Sequence, residues 1–299
     1  MNKHVFLDNL TANIGSLIAD KKKFFANSVD GPSFKEHLDA MEAEIPEIEK
    51  EGVYEVNLKS LVGDLDAAFK VAQWKGEDFP FIIYHHGNNE RPFDFKKSAK
   101  NTFYNIFIKT EEKIDANLIV VRAPFHNCSL KEYQTKLCDL SNFTAMISAS
   151  VMINEKLIQQ IRKTSNAPIL TSGISLGGWV TNLHRAFYNS STTYAPLLAG
   201  SFLAELFIKS KYRKLASEKA KNNSEILRKI LNFDDVFQSV SDKNLFPLLA
   251  KYDQFIEFEV QKETYNSYPL KTIDRGHVTG AISAMELRNH ILNVIDKIK

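Results

Sequence analysis

The chain predicts an α/β fold: a mostly parallel sheet covered by helices on both faces. Three observations predict it. Continuous apolar runs at 79–84, 118–121 and 245–250 have the character of strands buried on both faces. Stretches with helical spacing of apolar residues separate these runs, the alternation expected of a parallel sheet with crossover helices. A Gly-x-Ser-x-Gly pattern, Gly173 to Gly177, falls where the apolar run 167–170 passes into a helical pattern, so a sharp strand-to-helix turn is predicted there.

Taken in order, residues 3–49 read as helical. Leu7, Leu10, Ile14, Leu17 and Ile18 recur at helical spacing, Gly31-Pro32 marks a turn, and Ser33 can cap a second helix that ends near Pro46. Residues 1–50 therefore form an N-terminal helical extension: a packing layer, a cap over a site or a dimer surface. From Gly52 the period changes to two, which predicts a strand, a turn at 64–66 and a second strand at 67–74, paired as an antiparallel hairpin. Buried strands follow at 79–84 and 118–121, with a helix predicted over 93–110 between them. A long helix fills 140–164, and the helix after the Gly-x-Ser-x-Gly turn covers 179–188. A short strand is predicted at 193–199. Residues 201–243 lack strand character. Between 205 and 229 they hold eight basic and three acidic residues, net +5, interleaved with apolar ones. This predicts an amphipathic helical cap or lid, its charge either a solvated face or a draw for an anionic substrate. Strands at 245–250 and 268–273, a helix at 255–265 and a helix from Gly280 onward complete the 51–299 domain.

Composition narrows the function classes. A chain of 299 residues buries a large core. Its 44% hydrophobic and 25% charged residues are ordinary for a soluble protein, and a net charge of +2 gives no reason to expect nucleic acid or membrane binding. The opening Met1 to Asp8 lacks a signal-peptide layout, and no apolar run reaches the length of a membrane span. Cys128 and Cys138 are too few for a disulfide scaffold and match no metal motif, which predicts reduced thiols in a cytoplasmic protein. The expected partner is a small molecule. No metal, cofactor, nucleic acid or integral membrane segment is expected, and nothing in the sequence sets an oligomeric state.

The loops that follow parallel strands share one rim of the sheet, where ligands bind in open α/β folds. Here they carry His85 to Asn89, Ser175, Asp253 and His277. A serine hydroxyl is a weak nucleophile until a base takes its proton, and histidine has the matching affinity. Among the eight histidines, His277 follows the last strand in a short loop. His184 and His290 sit inside helices, His4 and His37 lie in the extension, and His126 can line a pocket. The imidazole in turn needs a carboxylate to hold its tautomer. Asp253, after the penultimate strand, is that carboxylate, with Asp274 as a less favoured choice. For an oxyanion, the backbone N–H of Leu176 and that of Asn88 are the expected donors. Gly87 would permit close approach, and His85 or His86 would brace the turn.

On Tyr84-His85-His86-Gly87, Gly173-Ile174-Ser175-Leu176-Gly177, Asp253 and Gly276-His277, the chain from Gly52 onward resembles the α/β-hydrolase superfamily, esterase- and lipase-like. The resemblance implies an eight-stranded, mostly parallel sheet with a helical cap before the penultimate strand. It also implies Ser175 as nucleophile, His277 as general base and acid, and Asp253 as orienting acid. It departs from many lipases and esterases in that Asn88 and Asn89 follow Gly87, where those carry a His-Gly-Gly-Gly run. The expected activity is cleavage of a carboxylic ester or thioester through an acyl-enzyme. A peptidase or amidase, and a binding protein on the same scaffold, are the rival readings.

Overall fold

A computed structural model describes residues 2–96, 98–110 and 112–298. Among them nine strands form one sheet: β1 (Glu42–Ala43), β2 (Gly52–Ser60), β3 (Gly63–Gln73), β4 (Phe81–His85), β5 (Asn117–Arg122), β6 (Ile169–Ile174), β7 (Thr193–Leu197), β8 (Leu248–Ala250) and β9 (Lys271–Ile273). Their order is β1-β2-β3-β5-β4-β6-β7-β8-β9. The first strands pair antiparallel through β3–β5. Every pair from β5–β4 to β8–β9 is parallel. The sheet is therefore mixed and mostly parallel, with nine strands in place of the expected eight. The added one, β1, comes from the N-terminal extension, where Glu42 and Ala43 pair with Lys59 and Leu58. The same pairing ends the second helix at Ala40, well before Pro46, because residues 42 and 43 take their backbone partners from the sheet edge.

The helices are α1 (Lys3–Ala19), α2 (Phe34–Ala40), α3 (Leu130–Lys136), α4 (Leu140–Ile161), α5 (Leu176–Phe187), α6 (Leu203–Ile208), α7 (Glu218–Asn222), α8 (Ser224–Leu231), α9 (Asp234–Gln238), α10 (Phe258–Gln261), α11 (His277–Ala281) and α12 (Ala284–Ile295). The expected cap region is helical, formed by α6 to α9 and a 3₁₀ turn at Lys211–Leu215. The helix predicted over 93–110 is not formed as such: its regular part is a π turn at Tyr104–Ile108. Asn101 accounts for the late start. Its amide donates to the carbonyls of Pro92 and Asp94 (3.0 and 2.8 Å), while its side-chain oxygen accepts from Tyr104 N–H (2.9 Å). These bonds satisfy backbone groups in a loop that a helix would otherwise claim. The hairpin turn falls at residues 61 and 62 instead of 64–66.

Strand alternation splits the core in two. Phe81 and Ile83 pack with α4 and α5 on one face, and Ile82 and Tyr84 join Ile106, Leu287 and Ile291 on the other. Both faces of the central strands are thus buried, and the polar loops gather at their C-terminal ends. Among the described residues no helix is long and apolar enough to cross a membrane.

Candidate active site

Ser175 stands between β6 and α5 with φ 54 and ψ −110, a left-handed backbone that L-residues rarely adopt. Its N–H donates to Leu197 O (2.9 Å) and its carbonyl accepts from Trp179 N–H (3.0 Å), so the turn is held from both sides. Gly177 makes the turn possible: a Cβ there would lie 2.1 Å from His85 O.

His277, the first residue of α11, brings Nε2 to 3.0 Å from Ser175 Oγ. Its Nδ1 donates to Asp253 Oδ2 at 2.7 Å, and Asp253 Oδ1 accepts from the N–H groups of Phe255 and Ile256, each at 2.8 Å. Three loops far apart in sequence thus meet in one hydrogen-bonded line. Asp274 is outside it, exposed and paired with Lys251 at 2.9 Å. Burial pulls the His277 imidazole down, but the charge and hydrogen bond of Asp253, with Asp8 adding to them, leave it above the ordinary value. Burial raises the Asp253 carboxyl, against the opposing pull of His277.

At the end of β4, His85 Nδ1 donates to His86 O (3.0 Å) and His86 Nδ1 to Gly87 O (2.7 Å). Ala123 N–H donates to His86 Nε2 (3.1 Å), which fixes the tautomer of that ring. Burial pushes His85 down to about 3 and His86 well below the usual range, so both stay neutral. The Asn88 side chain accepts from Tyr133 Oη and donates to Tyr212 Oη (3.2 Å), tying the turn to α3 and to the cap. Asn88 and Leu176 both line the cavity beside Ser175 and His277. As the first residue of α5, Leu176 has an N–H without an intrahelical acceptor. His126 is not among the lining residues. It packs behind the turn, between His86 and Tyr133 (4.5 and 4.8 Å between ring centres). Three other histidines lie away from the cavity: His184 bonds Glu155 and Tyr194, His290 bonds Phe246 O, and His37 bonds Thr144.

The cavity has a volume of ≈ 490 Å³. Phe24, Phe143, Trp179, Phe207, Tyr212 and Phe255 supply aromatic walls, drawn from the extension, α4, α5, the cap and the loop after Asp253.

Asp8 and Glu90 were not expected from the sequence. Asp8, fully buried on α1, accepts through Oδ2 from His277 N–H (2.8 Å) and Gln254 N–H (3.1 Å), and through Oδ1 from Val278 N–H (3.0 Å). One carboxylate thereby ties the loop bearing His277 to the loop bearing Asp253. A Cβ on Gly276 would lie 2.7 Å from Asp8 Oδ2, so the residue before His277 must be small. One turn earlier, His4 Nδ1 bonds Thr279 Oγ1 (2.8 Å). The available sequence signal was the step of four, His4, Asp8 and Ala12, on the side of α1 opposite its apolar residues. Glu90, buried beside Gly87 and among the residues that line the cavity, accepts from Thr102 N–H and Oγ1 (2.9 Å each), and burial raises its carboxyl to about 7.

The sequence matches no protein-family model and no curated protein. Solved structures do resemble it. Acylaminoacyl peptidase of Pyrococcus horikoshii superposes with a TM-score of 0.56 at 12% identity, over 84% of this chain and 42% of the peptidase. This chain therefore spans less than half of that protein's length. Est1E from Butyrivibrio proteoclasticus gives 0.50 at 16% identity over 78% of this chain and 95% of its own. An esterase of Pyrococcus furiosus gives 0.52 at 12% identity over 85% and 96%. At these identities the likeness establishes the fold: the chain has the α/β-hydrolase architecture.

Proposed function

We propose that this protein is a serine hydrolase that cleaves a carboxylic ester or thioester of a small molecule through an acyl-enzyme. One observation carries the reading: Ser175 Oγ lies 3.0 Å from His277 Nε2, whose Nδ1 is held at 2.7 Å by the buried carboxylate of Asp253. In this reading Ser175 Oγ bonds to the substrate carbonyl carbon while its proton passes to His277 Nε2. Asp253 keeps the other ring proton on Nδ1 and stabilises the imidazolium. The carbonyl oxygen, now an oxyanion, accepts from the N–H groups of Leu176 and Asn88. The bond from carbon to the leaving oxygen or sulfur breaks as Nε2 returns its proton to that atom. Water, deprotonated by the same nitrogen, then attacks the acyl carbon and releases the acid and Ser175. None of these steps calls for a metal or an organic cofactor.

The aromatic walls favour an apolar acyl group, and ≈ 490 Å³ is in the range of small-molecule pockets. Two free thiols, Cys128 and Cys138, suit a reducing compartment, in keeping with a cytoplasmic enzyme.

A fluorophosphonate probe is expected to label the wild type and to leave Ser175→Ala unlabelled; equal labelling of both removes Ser175 as nucleophile. Parallel assays with p-nitrophenyl acyl esters and aminoacyl amides separate the two acyl-transfer readings. Amide turnover above ester turnover makes the protein a peptidase or amidase. Folded protein that reacts with neither substrate nor probe is a binding protein on this scaffold.

A further inference from the structure

Helix α1 is amphipathic the wrong way round for a packing helix. Its buried residues are His4, Asp8, Ala12 and Ala19. Its large apolar side chains, Phe6, Leu7, Leu10, Ile14, Leu17 and Ile18, are all exposed, Leu17 at 80% and Ile18 at 59%. With 3.6 residues per turn these six share an arc of roughly 120°, centred opposite the buried side, on a helix ~25 Å long. A contiguous apolar face of this kind marks a docking surface.

Two features identify the occupant. The face adjoins the mouth of the cavity: Thr11, on α1 beside the arc, lines the cavity, as does Ile282, which is 74% exposed. Positive charge also surrounds it. Lys3 lies on the arc, and Lys21, Lys22 and Lys23 follow the helix. The turn carrying Arg213 and Lys214 packs along its flank, with Ser16 Oγ donating to Lys214 O (2.9 Å) and Lys214 Nζ to Asn13 (2.5 Å). Against these, α1 holds one acidic residue, Asp8, turned inward; Asp20 caps its end, and Glu218, near Lys23 and Arg213, pairs with Lys221 at 2.7 Å. An apolar stripe fringed by lysines has the chemistry of a helix lying in the plane of an anionic lipid surface. A second copy fits less well. A two-fold contact would bring the same basic fringe against itself and cover the mouth through which substrate must pass.

We propose that the outward face of α1 docks the protein on an anionic phospholipid surface, with the cavity mouth turned toward the lipid. The near-neutral net charge of the whole chain hides this, because the basic fringe is local. The proposal concerns binding; it rests on the proposed reaction only where passage of substrate is used against a second copy.

The test is flotation of the full chain with vesicles of phosphatidylcholine containing a third phosphatidylglycerol, and with phosphatidylcholine alone. The wild type is expected to float with the anionic vesicles at low salt and to bind the neutral ones at least tenfold less. Ile14→Asp/Leu17→Asp is expected to lose anionic-vesicle binding at least tenfold, while turnover of a soluble short-chain ester stays within twofold. Leu17→Asp alone, at the most exposed position, serves if the double variant misfolds and is expected to lose at least threefold. The proposal is overturned if the wild type does not bind anionic vesicles, if the variants bind as well as it does, or if neutral vesicles bind equally. It is also overturned if light scattering shows a dimer that Leu17→Asp dissociates, with no vesicle binding. Fluorophosphonate labelling reads the reaction separately, so failure of one leaves the other standing.

Discussion

Asp8 lies 269 positions before the histidine whose backbone it holds. It adds negative charge near His277 and receives the first N–H groups of α11, so it acts on position and on proton affinity together. Asp8→Asn keeps one acceptor and removes the charge. Because Asp8 helps to raise His277, its loss lowers that imidazole's proton affinity, and the acidic limb of the kcat/KM profile is expected to move to lower pH. kcat should fall about tenfold, since small misplacements of reacting groups are costly, while KM changes little. A pH–rate profile checks both, and an unmoved limb would assign Asp8 a purely structural role. Glu90 yields a stability prediction. Burial lifts its carboxyl from the ordinary 4.5 to about 7, so the folded chain holds a proton there that the unfolded chain has released. Stability therefore falls as pH rises from 4.5 through 7, by roughly 3 kcal/mol when the shift is expressed in full. Glu90→Gln, which cannot ionise, should remove most of that slope. Thermal melts of both proteins between pH 5 and pH 8 measure the difference.

At the scale of elements, the turn from β6 into α5 holds Ser175 at φ 54, a conformation glycine adopts freely. Ser175→Gly is expected to gain about 1 kcal/mol of stability from relieved strain while abolishing turnover. A melting curve and an ester assay on the same sample check the pair. The extension shapes the cavity through Phe24, whose ring packs against Phe207 at 5.0 Å and Phe143 at 6.0 Å. Phe24→Ala should shift preference along a series of p-nitrophenyl esters toward longer acyl chains, as the emptied volume admits more methylenes, and should lower stability by a few kcal/mol. Elements were legible where local and tertiary preferences agreed. The buried strands and α4 were so because apolar periodicity and burial point the same way. The π turn at Tyr104–Ile108 was not, because Asn101 and Glu90 compete locally for backbone groups that a periodicity pattern assigns to a helix.

Across the whole molecule, the extension and the domain from Gly52 onward share one sheet and one site. β1 pairs with β2, Phe24 walls the cavity, and Asp8 holds the loop of His277. Removing residues 2–20 is expected to leave the sheet's circular dichroism in place and to cut kcat by at least an order of magnitude, because α1 buries few apolar side chains and yet supplies Asp8. By itself the sequence determined the α/β class, the sharp turn at Ser175 and the set of polar loops that includes Asp253 and His277. These depend on period, on small residues where backbones approach, and on the rule that loops after parallel strands share a rim. Only the tertiary structure decided that α1 would turn its polar side inward, that Asp8 would join two loops, and that a ninth strand would form. Helical spacing states which residues share a face and leaves open which way that face points. Here hydrogen bonds donated by buried N–H groups to a carboxylate settled the direction, against the exposure of six large apolar side chains.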